Sequence, residues 1–154
     1  MKIFLQAILF IILLFLTGCS NRNAFEQFHI SPKKELSEEN IQTFKIKNGE
    51  SVDGIVSAIY LNKVLPKLYK ENEYFYVYYY IKDKNATVSF LLNGKPSLLK
   101  EELPANNEFS NLTSFDAPWS KYYLLGFKKE GNILNFTIKT DKGASATLQF
   151  VKDK

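Results

Sequence analysis

The segment from Glu73 to Lys82 constrains the fold of this chain more than any other stretch. Its aromatic and β-branched side chains alternate with period two. One set is Phe75, Val77, Tyr79 and Ile81, and the other is Tyr74, Tyr76, Tyr78 and Tyr80. Successive side chains of a β-strand point to opposite sides of a sheet, so this alternation predicts a strand with at least one buried face.

Turn residues divide the rest of residues 43–154 into similar short segments. Asn93-Gly94 predicts a tight hairpin, because both central residues of a type I′ turn need a positive φ. Residues 51–65 have a spacing that fits a helix or a strand, and their β-branched content favours a strand. The remaining predicted strands are Thr43–Lys47, Ala86–Leu92, Pro96–Leu103, Lys121–Lys129, Ile133–Thr140 and Ala144–Lys152.

Short strands with turn signals at close intervals predict an all-β domain, an antiparallel β-sandwich of about seven to nine strands. Its size and strand number resemble those of an immunoglobulin-like domain. The chain lacks a cysteine pair, and its single tryptophan, Trp119, lies late in a loop. The resemblance is therefore one of architecture, and architecture by itself implies no function.

The N-terminal residues have the layout of a secretory signal peptide. Lys2 precedes an apolar run over residues 3–16, which only Gln6 interrupts, and Thr17-Gly18-Cys19 follows. This run is shorter than the ~20 residues that a membrane-spanning helix needs. The stretch Leu16–Cys19 resembles the lipobox of bacterial lipoproteins. That resemblance implies cleavage before Cys19 and acylation of its sulfur and its new amino group.

Such an anchor implies a membrane partner and a location in the bacterial cell envelope. One acyl chain gives only marginal membrane binding, and several chains on Cys19 would hold the protein firmly. Ser20, in place of an aspartate, implies the outer membrane by similarity to lipoprotein sorting. The mature part also resembles small uncharacterised bacterial lipoproteins with an immunoglobulin-like sandwich.

The expected organisation has three parts. Residues 1–18 form the signal peptide, residues 19–42 the acylated N-terminus and tether, and residues 43–154 the β-sandwich domain. Within the tether, Ser31 and Pro32 predict the start of a short helix that runs through Asn40, because proline is favoured at the first helical position.

The composition argues against catalysis, a cofactor, a metal and nucleic acid. The formal net charge of +4 is spread along the chain, which gives no basis for nucleic-acid binding. His29 is the single histidine and lies in the tether, and acylation of Cys19 would leave no thiol. Glu101 and Glu102 would point to opposite faces of a strand. We therefore expect a protein that is not an enzyme.

The tyrosines of the Glu73–Lys82 segment have two interpretations. If the Phe75 face is the core, then Tyr74, Tyr76, Tyr78 and Tyr80 form an exposed face that binds a protein partner or a second copy of the chain. Tyrosine suits such a role because it buries a large area at low entropic cost. In the alternative, the tether or a long loop covers this second face.

The segment Pro104–Ser120 offers a second candidate site. Trp119, with the neighbouring Tyr122 and Tyr123, would bind a small ligand or a glycan if a concave pocket surrounds it. In the alternative, Phe115 and Trp119 close one end of the core. A further possibility is a structural envelope protein without a specific ligand.

Asn85 is a candidate glycosylation site. The stretch Asp83–Thr87 reads Asp-Lys-Asn-Ala-Thr, and it resembles the extended acceptor sequence of some bacterial N-glycosylation systems. It also falls on a predicted turn, where an enzyme would reach it. The alternative is that Asp83 and Asn85 serve turn formation alone.

Overall fold

The computed structural model describes residues 32–114 and 117–152. The signal peptide, the lipobox with Cys19, His29 and Phe115 lie outside the described residues. The helices are α1 (Pro32–Glu39) and α2 (Leu61–Val64), with a 3-10 turn at Ser110–Leu112. The strands are β1 (Ile41–Asn48), β2 (Ser51–Tyr60), β3 (Glu73–Ile81), β4 (Val88–Leu92), β5 (Lys95–Pro96), β6 (Leu99–Leu103), β7 (Lys121–Phe127), β8 (Ile133–Thr140) and β9 (Ser145–Val151).

Most of the predicted elements are confirmed. The helix predicted at the end of the tether begins at Pro32 and is followed at once by β1, so residues 32–42 already belong to the folded unit. Residues 51–60 form a strand, and the chain turns into α2 only at Leu61. Asn93 and Gly94 have φ values of 48° and 81°, as the hairpin requires.

The strands form a single antiparallel sheet, in the order β5-β4-β8-β9-β1-β2-β3-β7-β6. The prediction of an all-β fold is confirmed. The prediction of an immunoglobulin-like sandwich of two separate sheets is not confirmed, because the strands form one sheet that curls into a half-barrel. Strands β1 and β9 are joined through a single pair of residues in register, Lys47 and Ser145. A bulge between Ile46 and Lys47 bends β1 at the same place. The two halves of the sheet therefore face each other around one core.

The predicted strand Pro96–Leu103 is divided between the two edges of the sheet. Lys95 and Pro96 pair with β4 at one edge, whereas Leu99–Leu103 pairs with β7 at the other. A link of two residues spans no more than roughly 10 Å, so the curled sheet brings its edges close together. Lys100 reinforces this closure, because its Nζ donates a hydrogen bond to the Val88 carbonyl oxygen at 3.2 Å.

The concave side of the sheet holds an aromatic core. Phe75 lies at its centre, with ring centroids 5.2 Å from Phe136 and 5.3 Å from Phe150. The inward residues of β8 and β9 are buried as the alternation predicted: Leu134, Phe136, Ile138, Ala146, Leu148 and Phe150. Burial of large aromatic area supplies the stability that this domain does not obtain from disulfides.

A second cluster lies on the convex side, over β2, β3 and β7. It contains side chains from the sheet, from α2 and from the segment before β7: Ile59, Leu61, Val64, Tyr76, Tyr78, Phe109, Leu112, Tyr122 and Leu124. Helix α1 packs against the 3-10 turn and α2, which are the elements that cover the tyrosines. Both faces of β3 are thus buried over most of its length.

A buried carboxylate connects the start of β3 to the end of β9. Glu73 accepts hydrogen bonds from the Tyr60 hydroxyl at 2.5 Å and from the Glu130 amide at 2.9 Å, and it pairs with Lys152. Burial, together with the hydrogen bond to Glu73, raises the pKa of Tyr60 above its usual value. Since every oxygen of the Glu73 carboxylate has a partner, the buried charge is compensated.

Candidate functional site

The tyrosine face of β3, for which the sequence suggested exposure as one possibility, is buried at its centre. Tyr76 is 0% exposed and Tyr78 is 5% exposed, so the interpretation as a solvent-facing stripe is wrong for both residues, and the alternative, in which other segments of the chain cover this face, is correct for them. The physical reason is the cover provided by α2 and by Phe109, whose ring centroid lies 5.1 Å from that of Tyr76. Tyr74 is half-buried and packs against Tyr69. These side chains stabilise the fold and do not form a free binding surface.

Tyr80 differs from the rest of the stripe because it lies beyond the covered part of β3. It is 36% exposed and pairs in register with Ile55, which is also exposed. Among the described residues, Phe109 and Leu112 belong to the cluster over Tyr76 and Tyr78, and Tyr80 is not part of that cluster. Tyr80 is therefore the member of the stripe that solvent or a ligand can reach most readily.

Trp119 projects from a tight turn directly before β7. The Ser120 amide donates a hydrogen bond to the Ala117 carbonyl oxygen at 2.9 Å, which places Pro118 and Trp119 at the two corners of the turn. Proline at the first corner suits this geometry because its φ is fixed near the required value. Trp119 is 67% exposed, so it does not close the core.

Tyr122 holds this turn in place from below. Its hydroxyl donates to the Ala117 carbonyl oxygen and accepts from the Ala117 amide, both at 3.0 Å. Tyr122 and Ala117 are buried, so these hydrogen bonds are shielded from water. Tyr122 and Tyr123, expected at the site itself, are instead core residues on the two faces of β7, and Tyr122 positions the turn that carries Trp119.

A cleft of about 350 Å³ lies between this turn and the end of β3. It brings Tyr80 and Trp119, which belonged to two separate sequence predictions, into one site. Its lining also includes residues of β3, of the connection from β3 to the start of β4, and of the turn that leads into β7: Tyr79, Ile81, Asp83, Lys84, Ala86, Val88, Pro118, Ser120 and Lys121. Small-molecule sites commonly combine such an apolar and aromatic lining with a few polar groups, at volumes of ~300 Å³ and above.

The acidic group of the cleft is already compensated. Asp83 pairs with Lys142, and the hydrogen bond from that lysine holds the pKa of Asp83 below its usual value. By contrast, Lys84 and Lys121 are exposed, and neither has an ion-pair partner among the described residues. Among the described residues, the cleft lining therefore carries two lysines without an ion pair beside its aromatic surface.

Asn85 lies on an exposed turn between two residues of the cleft lining, Lys84 and Ala86. The backbone amide of Asn85 donates a hydrogen bond to Asp83 Oδ1 at 2.9 Å, so the acidic residue of the acceptor sequence also stabilises the turn. The exposed position is compatible with glycosylation of Asn85, which stays a prediction.

The free edges of the sheet are poorly suited to strand addition by a partner. Pro96 at one edge lacks an amide donor, and Lys100, Glu101 and Glu102 place charges along the other. Prolines and charged side chains are common means of protecting edge strands from pairing with another chain. Backbone pairing at these edges is thus disfavoured as a mode of protein association.

Within residues 32–114 and 117–152, no group of three or more histidine, cysteine, aspartate or glutamate side chains is placed to hold a metal ion. The same part of the chain contains no helix that is long and apolar enough to cross a bilayer. No protein-family model matches the sequence, and neither a curated protein nor a solved structure matches the chain. The site is accordingly defined by its own geometry.

Sequence reasoning missed Lys84 and Lys121 as parts of the site, whereas Pro118 lay within the candidate segment Pro104–Ser120. One signal was available, because Ala117-Pro118-Trp119-Ser120 is a favourable β-turn sequence that would place the tryptophan at an exposed corner. The proximity of Trp119 to Tyr80 had no local signal, since it depends on how the strands pair.

Proposed function

We propose that this chain is a non-catalytic binding protein of the bacterial envelope, anchored through acylated Cys19, whose Trp119–Tyr80 cleft binds a saccharide. The proposal for the anchor is supported by the lipobox sequence. The proposal for the cleft is supported by an exposed tryptophan that a hydrogen-bonded turn holds beside a tyrosine. Flat aromatic faces suit sugar rings because they cover the apolar C–H surface and leave the hydroxyl groups free for hydrogen bonds.

A small ligand is favoured over a protein partner by the same observations. The tyrosine stripe was the main reason to expect a protein interface, and its central members are buried. The site that remains is a concave cleft of limited volume, whereas stable protein interfaces bury roughly 800 Å² on each partner.

We also propose that the two facing halves of the curled sheet are an immunoglobulin-like sandwich in architecture, which their packing around one shared core supports.

Trp119 provides a direct test, because it is the single tryptophan of the sequence and its fluorescence reports on this site. We expect one or more members of a panel of oligosaccharides, neutral and charged, to change its emission saturably. The Trp119→Ala variant should lose binding in calorimetry, with a loss of ~2 kcal/mol or more if the residue is a hot spot. Leu98→Ala is a matched control, since Leu98 is equally exposed at 69% and lies outside the cleft.

Two results would contradict the proposed saccharide site. In the first, the folded protein binds no member of the panel; in the second, Trp119→Ala binds a saccharide as tightly as the unchanged chain does. A structural envelope protein without a specific ligand would then be the better description.

A further inference from the structure

We infer that the ligand of the cleft is an anionic saccharide, whose ring stacks on Trp119 and Tyr80 and whose carboxylate or phosphate pairs with Lys84 and Lys121. This inference rests on the proposed function and specifies the class of ligand. Carboxylate and phosphate groups share the chemistry that matters here, namely oxygen atoms with negative charge that accept hydrogen bonds from ammonium groups.

The charge pattern of the cleft is the first support. Lys142 already neutralises Asp83, which is the one acidic side chain among the described residues of the lining, so Asp83 does not offset the lysines. Lys84 and Lys121 have no ion-pair partner within the described residues. A neutral sugar would leave these ammonium groups with water alone, whereas an anionic group would gain charge-assisted hydrogen bonds from them.

The placement of the lysines relative to the aromatic residues is the second support. Lys84 belongs to the connection after β3, close in sequence to Tyr80, and Lys121 is the first residue of β7, directly after the Trp119 turn. Each aromatic side chain of the site thus has a lysine near it on its own segment. A ligand that contacts both rings would meet an ammonium group from each of the two segments.

These features predict a binding reaction that depends on salt. Attraction between exposed charges is screened over ~8 Å at physiological ionic strength, so affinity for an anionic sugar should fall as salt is added. Stacking on Trp119 and Tyr80 depends far less on salt, because it arises from contact between apolar surfaces. Salt dependence therefore separates the contribution of the lysines from that of the aromatic rings.

The experiment uses the full chain and matched pairs of probes. An oligomer of galacturonic acid is compared with its methyl ester, which keeps the ring and removes the charge, and mannose 6-phosphate is compared with mannose. Trp119 fluorescence and calorimetry report binding at low and at high salt. We expect an acid to bind about tenfold more tightly than its neutral counterpart, a difference of ~1.4 kcal/mol. The better of the two acids identifies carboxylate or phosphate as the preferred group.

Substitution of the lysines completes the test. Lys84→Gln and Lys121→Gln should each weaken binding of the acidic probe several-fold and weaken binding of the neutral probe much less. Lys67→Gln is the matched control, because Lys67 is exposed and belongs to the segment after α2, outside the cleft lining. Circular dichroism of each variant checks that the fold is retained. Lys84→Arg and Lys121→Arg keep the positive charge and should retain most of the affinity for the acidic probe.

The outcomes distinguish this inference from the proposal on which it rests. Equal binding of acidic and neutral probes would overturn the inference and leave a saccharide site in place. Equal weakening by Lys67→Gln would also overturn it, because the attraction would then be unspecific. Absence of binding by every saccharide would overturn the proposed function itself.

Discussion

Replacement of Tyr76 by alanine should destabilise the domain strongly, although its position in the alternating pattern suggested an exposed residue. Tyr76 is fully buried, and its ring centroid lies 5.1 Å from that of Phe109 and 6.3 Å from that of Tyr122. Truncation of a buried aromatic residue to alanine costs ~3–5 kcal/mol, because apolar contact is lost and a cavity remains. We expect a loss of this size in the free energy of unfolding.

Two further variants separate the ring from the hydroxyl group and from the rest of the stripe. Tyr76→Phe should cost about 1 kcal/mol or more, since it removes the hydroxyl group to which the side-chain amide of Asn107 donates a hydrogen bond at 3.3 Å. Tyr80→Ala should cost about 1 kcal/mol, much less than Tyr76→Ala, because Tyr80 is 36% exposed and loses mainly its contacts within the sheet.

Urea unfolding followed by circular dichroism measures all three variants. With a slope of ~2 kcal/mol per molar urea, Tyr76→Ala should lower the midpoint by roughly 2 M, whereas Tyr80→Ala should lower it by only about 0.5 M. An unchanged midpoint for Tyr76→Ala would refute the burial of the stripe beneath α2 and Phe109. It would restore the case for a protein interface.

Other predictions concern separate parts of the molecule. Glu73→Gln should cost ~1–3 kcal/mol in urea unfolding, because it leaves the partly buried ammonium group of Lys152 without its counter-charge. Gly54→Ala should lower the melting temperature, since the added Cβ would lie 2.3 Å from the Tyr80 carbonyl oxygen. Burial raises the pKa of Tyr123, so stability should fall as pH rises above ~10, where only the unfolded chain loses this proton. Cys19→Ala should abolish labelling by a fatty acid in bacteria; equal label in both chains would exclude the anchor.

The alternation of side chains predicted which residues of each strand face the same way. Leu134, Phe136 and Ile138 on β8 share the buried face, as do Phe75 and Val77 on β3. This success has a simple cause, because the period of two is a property of the backbone itself and needs no knowledge of neighbouring strands. The Asn93-Gly94 hairpin was predictable for the same reason.

The parts that were not predicted depend on contacts between distant segments. The period of β3 defines two faces but does not say what covers each of them, so the burial of Tyr76 beneath Phe109 had no local signal. In the same way, nothing in the segment Pro96–Leu103 shows that its first residues pair with β4 and its last with β7. Such pairings are set by the closure of the whole sheet.

The cleft owes its shape to this combination of local and distant effects. The Ala117–Ser120 turn is local, and its proline and serine suit the geometry that exposes Trp119. Its orientation comes from Tyr122, which extends from the buried convex cluster and binds Ala117 through one hydroxyl group. The opposite side of the cleft comes from Tyr80, at the point where the cover over β3 ends. The same packing that buries the centre of the tyrosine stripe therefore holds the turn with Trp119 at the margin of the stripe, where it forms the cleft with Tyr80.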